Sequence, residues 1–139
     1  MWENDGSRVL GRQECLRLLA QAPVGRVVYT RHALPAVLPV DFSLEEDTSV
    51  LLRTSARSDL AGAVDGVVVA FEADDFAPAA GSGWTVVVTG RATVVTDPAE
   101  HARLARTAPW TPVRDGVFVR ITSEMVTGRE LRTAPGDDS

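Results

Sequence analysis

The sequence predicts a mostly β protein: an antiparallel barrel of six or so strands with short helical insertions. Six apolar or alternating runs have strand length, and only three short stretches have helical spacing. The strands follow one another without the regular helix between each pair that a parallel sheet requires. At 139 residues the chain is long enough for one domain with a real core. Its 45% hydrophobic and 24% charged residues exclude a disordered class.

Residues 1–10 read as a flexible leader and 133–139 (Thr-Ala-Pro-Gly-Asp-Asp-Ser) as a disordered tail, which leaves 11–132 as the domain. From Gly11 to Ala22 an apolar face of Cys15, Leu16, Leu18, Leu19 and Ala22 predicts a helix that Pro23 ends. Val24–Thr30 and Leu34–Phe42 flank a short polar connection at Arg31 and His32, the pattern of a hairpin. Pro35 and Pro39 share one face of its second strand. Proline has no N–H for a ladder, so that strand belongs at an edge or is bulged. Glu45-Glu46-Asp47 reads as a solvated turn, Val50–Arg53 as a strand, and Gly66–Ala73 as a strand buried on both faces, with Asp74-Asp75 a solvated loop after it. Trp84–Thr96 is the longest alternating run. Asp97-Pro98-Ala99-Glu100 then carries an N-cap, a first-turn proline and an acidic third position, opening a helix. Gly116–Thr122 is the last alternating strand. A barrel of this size is filled by its own side chains, so a large ligand must lie on its wall or between subunits.

Composition narrows the function. A net charge of −5 with scattered arginines argues against a nucleic-acid surface. No apolar run approaches the ~20 residues of a membrane span, and the polar N-terminus is not a signal peptide. A lone Cys15 excludes an internal disulfide and agrees with a cytoplasmic setting. All 14 basic residues are arginine, which excludes lysine Schiff-base chemistry. His32, His101 and Cys15 have no metal-ligand spacing, and His101 reads as a surface residue. No Gly-x-Ser-x-Gly elbow is present, and Gly81-Ser82-Gly83 is misplaced for a dinucleotide loop.

The most informative stretch is Arg53-Thr54-Ser55-Ala56-Arg57-Ser58, at a strand-to-helix junction. Guanidinium offers phosphate a bidentate fork, and hydroxyls and a helix N-terminus add donors. The same residues also make a solvated turn with capping hydroxyls.

Taken in order, the pieces form a pattern: a helix, Val24-Gly25-Arg26-Val27-Val28, Pro35-x-x-x-Pro39-Val40-Asp41-Phe42, Leu52-Arg53-Thr54-Ser55, Val69-Ala70-Phe71-Glu72, Gly83–Ala92 and Val126-Thr127-Gly128-Arg129. Over residues 11–132 the chain resembles the pyridoxamine 5′-phosphate oxidase-like family of FMN-binding split barrels, in its short single-domain bacterial form. The resemblance implies a split β-barrel homodimer with FMN at the subunit seam. It places Pro39, Val40, Asp41 and Phe42 along the isoalloxazine ring and Arg53, Thr54, Ser55, Arg57 and Ser58 on the phosphate. Trp84 matches a tryptophan near the dimer seam, and equally suits a core position in its strand.

Many relatives carry a lysine where this chain has Asp59, and some use a deazaflavin or haem. A carboxylate at that position repels phosphate unless Arg57 or Arg53 pairs with it. The second phosphate-binding set and longer C-terminal region of true pyridoxamine phosphate oxidases are not found. The resemblance therefore points to an FMN-dependent oxidoreductase that moves hydride between a reduced nicotinamide and a small substrate. Its functional residues are binding ones, and no side chain is required as acid or base. A flavin-holding sensor and a barrel without cofactor, the latter favoured by Asp59, are the alternatives.

Overall fold

The computed structural model describes residues 2–3 and 6–132. Among these residues nine strands and three α-helices follow in the order β1 (Ser7–Val9), α1 (Arg12–Leu19), β2 (Gly25–Arg31), β3 (Leu34–Val40), β4 (Phe42–Leu44), β5 (Val50–Ser55), α2 (Asp59–Val64), β6 (Val68–Ala77), β7 (Ser82–Val94), α3 (Pro98–Leu104), β8 (Gly116–Ile121) and β9 (Met125–Arg132), with a 3₁₀ turn at Pro78–Ala80 between β6 and β7. Every strand pairing is antiparallel. The strands curl into one sheet in the order β3-β2-β6-β7-β8-β5-β4, and β9 joins β7 to β1. This is the split-barrel fold.

The 13-residue β7 closes the curl. Residues 82–91 pair with β6, and residues 92–94 turn away to pair with β8. Gly90 sits at that bend, where a Cβ would collide with the Thr122 carbonyl oxygen, so the crossing requires glycine. Inside the curl, Leu19 of α1, Leu60 and Val64 of α2, and Val27, Leu52, Phe71, Val88 and Ile121 of the strands form the main core. A smaller cluster of Leu51, Val95, Leu104 and Phe118, with Trp110 against it, lies under α3 on the outside of β5 and β8. Alternation along β5 therefore sorts its residues: Val50 and Leu52 enter the main core, whereas Leu51 faces outward beneath α3.

Several expectations are corrected. Residues 7–9, placed in the leader, form β1, because Arg8 reaches Glu130 on β9 (Nε–Oε1 2.9 Å) and the two strands pair from Ser7–Leu131 to Val9–Arg129. The tail 133–139 lies outside the described residues. The strand read as Leu34–Phe42 breaks at Asp41, since β3 pairs with β2 while β4 pairs with β5. β9 shows only one buried residue, Gly128, so it lacks the apolar alternation that marks a strand. β6 runs on to Ala77 and is buried only at alternate residues, Val69, Phe71 and Ala73. Its Asp74, expected in a loop, stays in the ladder and meets Arg26 at 3.3 Å. Glu45 is not merely solvated, because it accepts from Arg120 Nε and Nη2. β3 is an edge strand, as its prolines require.

Candidate functional site

Where β3 ends and β5 ends, the curled sheet leaves a cleft of about 300 Å³ lined by Leu38, Pro39, Val40, Asp41, Arg53, Thr54, Ser55, Thr111 and Val113. Three elements build it: the edge strand β3, the C-terminal half of β5, and the 105–115 loop that follows α3. The loop is fastened over the cleft when Asp41 Oδ2 accepts from the Thr111 backbone N–H at 3.0 Å. It is also anchored at Trp110, whose indole N–H donates to the Leu104 carbonyl at 3.1 Å.

The cleft has one cation, Arg53. Its guanidinium carbon stands 5.3 Å from the centroid of the Phe118 ring. Its Nε is buried and finds no hydrogen-bond partner among the described residues, and no carboxylate there forms an ion pair with it. A buried, unpaired N–H is costly unless an acceptor arrives. Thr54 and Ser55 extend the polar wall beside it. The Thr54 hydroxyl donates to Ser58 Oγ at 3.1 Å, and Ser55 Oγ accepts from the Arg57 backbone N–H at 3.1 Å. The opposite wall, Leu38, Pro39 and Val40, is apolar. An anionic group against Arg53 and a flat apolar ring against β3 match this division.

Six of the ten residues singled out in the sequence thus meet in one cleft: Pro39, Val40, Asp41, Arg53, Thr54 and Ser55. The other four lie outside its lining. Phe42 packs edge-on against Phe71 at 4.7 Å. Arg57 is exposed and sits 3.6 Å from Asp115. Ser58 caps the six-residue α2 by accepting from the Ala61 N–H at 3.1 Å, so the capping account of the stretch holds for this hydroxyl. Trp84 stands opposite Asp75 and Glu130 in β7 and packs against the main core.

Asp59 pairs with neither Arg53 nor Arg57. It is in contact with Arg31 on β2, beside a second cavity lined also by His32 and Ser58. Its charge is therefore offset away from the cleft. The 105–115 loop and the Phe118 platform were not read from the sequence. The available signal was Pro109-Trp110-Thr111-Pro112, an aromatic held between prolines with no helical or strand spacing. His101 is also more than a surface residue, since its ring meets Phe118 edge-on at 5.2 Å.

A larger cavity of about 690 Å³ lies toward the other end of the same outer face, lined by Glu45, Glu46, Asp47, Arg103 and Arg120 among others. Arg120 is held there by Glu45 and by Glu100 at 2.9 Å, and these carboxylates, Glu45 foremost, raise its pKa above the ordinary arginine value. The half-buried Arg120 of this cavity is already neutralised, in contrast to Arg53. Cys15 is fully buried, and burial pushes its thiol pKa up, which makes it a packing residue rather than a nucleophile.

Known proteins agree with this architecture. A Mycobacterium tuberculosis protein, uncharacterized protein Rv0080, is 47% identical over 125 residues, covering 86% of this chain and 82% of its own. The solved FAD binding protein of Mycobacterium smegmatis superposes with a TM-score of 0.77 at 34% identity, over 90% of this chain and all of that one. A conserved Corynebacterium diphtheriae protein of unknown function, DIP1874, gives 0.75 at 32% identity, over 91% of this chain and 99% of that one. Residues 11–130 match the family model described as pyridoxamine 5′-phosphate oxidase, and the chain belongs to that family.

Proposed function

We propose that this chain is a flavin-dependent oxidoreductase whose cleft holds FMN, or the FMN half of FAD, with the 5′-phosphate on Arg53 and the ring along β3. The unpaired Nε of Arg53, buried in a cleft that offers it no protein acceptor, is the observation that carries this reading. Thr54 and Ser55 supply hydroxyls next to that phosphate, and Leu38, Pro39 and Val40 give the ring a dry face. The lining contains no histidine, cysteine, methionine or tyrosine, the usual axial ligands of haem iron, which favours a flavin over haem. The flavin-binding relative at 34% identity supports the same choice. Because Asp59 is engaged by Arg31, it no longer argues for a barrel without cofactor.

When bound, flavin supplies two-electron chemistry, accepting hydride from a reduced nicotinamide and passing electrons to a small acceptor. The protein's share is to bind, orient and exclude water. Arg53 fixes the phosphate end, β3 sets the plane of the ring, and the loop pinned by Asp41 screens the junction between them. A cleft of about 300 Å³ is at the small end for a cofactor, and a second copy of the chain would complete the enclosure. The exposed Leu34 and Val37 of the neighbouring β3 support a homodimer. We place that dimer in the cytoplasm, where reducing conditions suit the single buried Cys15.

The test is the visible spectrum of the purified protein after incubation with FMN, and separately with FAD, followed by gel filtration. Flavin bands that co-elute with the protein and bleach anaerobically on adding reduced nicotinamide are expected. A colourless protein with either cofactor overturns the flavin site. Bound flavin that never bleaches leaves a binding protein and removes the enzyme.

A further inference from the structure

We infer that Gly116 is a positioning residue for the flavin phosphate, holding the Arg53 guanidinium in place through the absence of a side chain. The inference rests on the phosphate reading of Arg53 given above.

Arg53 pairs with Phe118 and Ser55 with Gly116 in the β5–β8 ladder, so Gly116 lies diagonal to Arg53 on the outer face. The guanidinium lies over that vacancy. A Cβ on Gly116 would stand 2.6 Å from Arg53 Nε, 3.0 Å from Nη2 and 3.1 Å from Cζ. The backbone itself gives no reason for glycine here, because among the described residues the positive-φ glycines are Gly6, Gly66 and Gly81. Space for Arg53 is the remaining reason.

Phe118 forms the other side of the berth. Its fully buried ring is held edge-on by His101 at 5.2 Å and by Trp110 at 5.2 Å, with the Arg53 guanidinium carbon 5.3 Å from its centroid. Arginine is long and rotamer-rich, and on this protein others are fixed by carboxylates. Arg120, opposite Leu51 on the same face, is held by Glu45 and Glu100. A carboxylate clamp fixes a guanidinium but uses up its donors. A berth of glycine backbone and aromatic ring orients Arg53 while leaving its donors for an anion.

The berth also predicts what a methyl group would do. The obstructed atoms are the far end of a flexible side chain, so Gly116→Ala moves Arg53 and leaves the sheet intact. The affected quantity is affinity for the phosphate, not for the ring.

The experiment titrates FMN and riboflavin, which lacks the phosphate, into wild type, Gly116→Ala, Arg53→Ala and the double variant. Gly116→Ala is expected to weaken FMN binding about tenfold, the scale of one charge-assisted contact. Riboflavin affinity and melting temperature should stay near wild type. In the Arg53→Ala background the alanine at 116 should cost nothing further, the sign of two residues acting through one interaction. The inference is overturned if Gly116→Ala binds FMN like wild type, if it loses riboflavin equally, or if its loss persists without Arg53. A different pattern marks failure of the underlying reading: wild type that binds FMN no more tightly than riboflavin, or Arg53→Ala that binds FMN unchanged.

Discussion

Arg53 and Arg120 project from adjacent strands onto the same outer face, yet one is saturated by carboxylates and the other meets none. Residue type alone does not make that distinction; company does. Of the members of the cleft, Arg53 to Ser55 were legible from their own chemistry at a strand end, and Pro39 to Asp41 only through the family resemblance. Arg31 with Asp59 was not legible, since the packing of α2 beside β2 brings together residues 28 positions apart. Gly116 was silent for a related reason: a glycine without positive φ shows its purpose only when the atoms above it are known.

At this scale Glu72 makes a pH prediction. Burial first, then the hydrogen-bonded Asp74, hold its carboxyl above the ordinary range, against the opposing contacts of Thr85 and Arg26. The folded state therefore keeps the proton more tightly than the unfolded chain. Stability from this group is present below the ordinary value of 4.5 and is lost as pH rises through the raised one. Relative to Glu72→Gln, wild type should lose stability as pH rises from about 4 to 7. Denaturant midpoints of the two proteins at both ends of that interval check it, and a gap that widens in favour of wild type would be the wrong sign.

Among elements, the strands with clear apolar alternation were readable, along with α3, whose cap is formed when Asp97 accepts from the Ala99 N–H. β1 and β9 were not, because they are stabilised by pairing and by ion pairs such as Arg8–Glu130 rather than by an apolar face. The β2–β3 hairpin was expected, and its geometry adds a detail. Arg31 pairs with Leu34, and the two residues between them, His32 and Ala33, have φ of 52° and 63°. This is a two-residue turn of the type that favours Asn-Gly, and Ala33 occupies the glycine position. Ala33→Gly should stabilise the protein by about 0.5–1 kcal/mol, a rise of a few degrees in melting temperature. An unchanged or lower melting temperature would show that the turn is not strained.

For the whole molecule, an antiparallel barrel was legible from the strand pattern and its split form through the family resemblance, but what the barrel does with its outer faces was not. Pro35, Val37 and Pro39 share the outward face of β3, Val37 is 60% exposed, and Pro39 enters the cleft. If this ridge is the dimer seam, Val37→Glu should turn a dimer into a monomer in sedimentation and weaken FMN binding with it. A wild-type monomer would remove the dimer, and a variant that stays dimeric would move the seam elsewhere. The two prolines also constrain how a partner approaches. Residues 35, 37 and 39 are those whose N–H groups would point away from β2, and proline removes two of the three. Only the Val37 amide remains for an incoming strand, too little to continue the ladder. β3 is thereby protected from templating the strand-by-strand growth that leads to fibrils, and a second copy has to settle on it face to face.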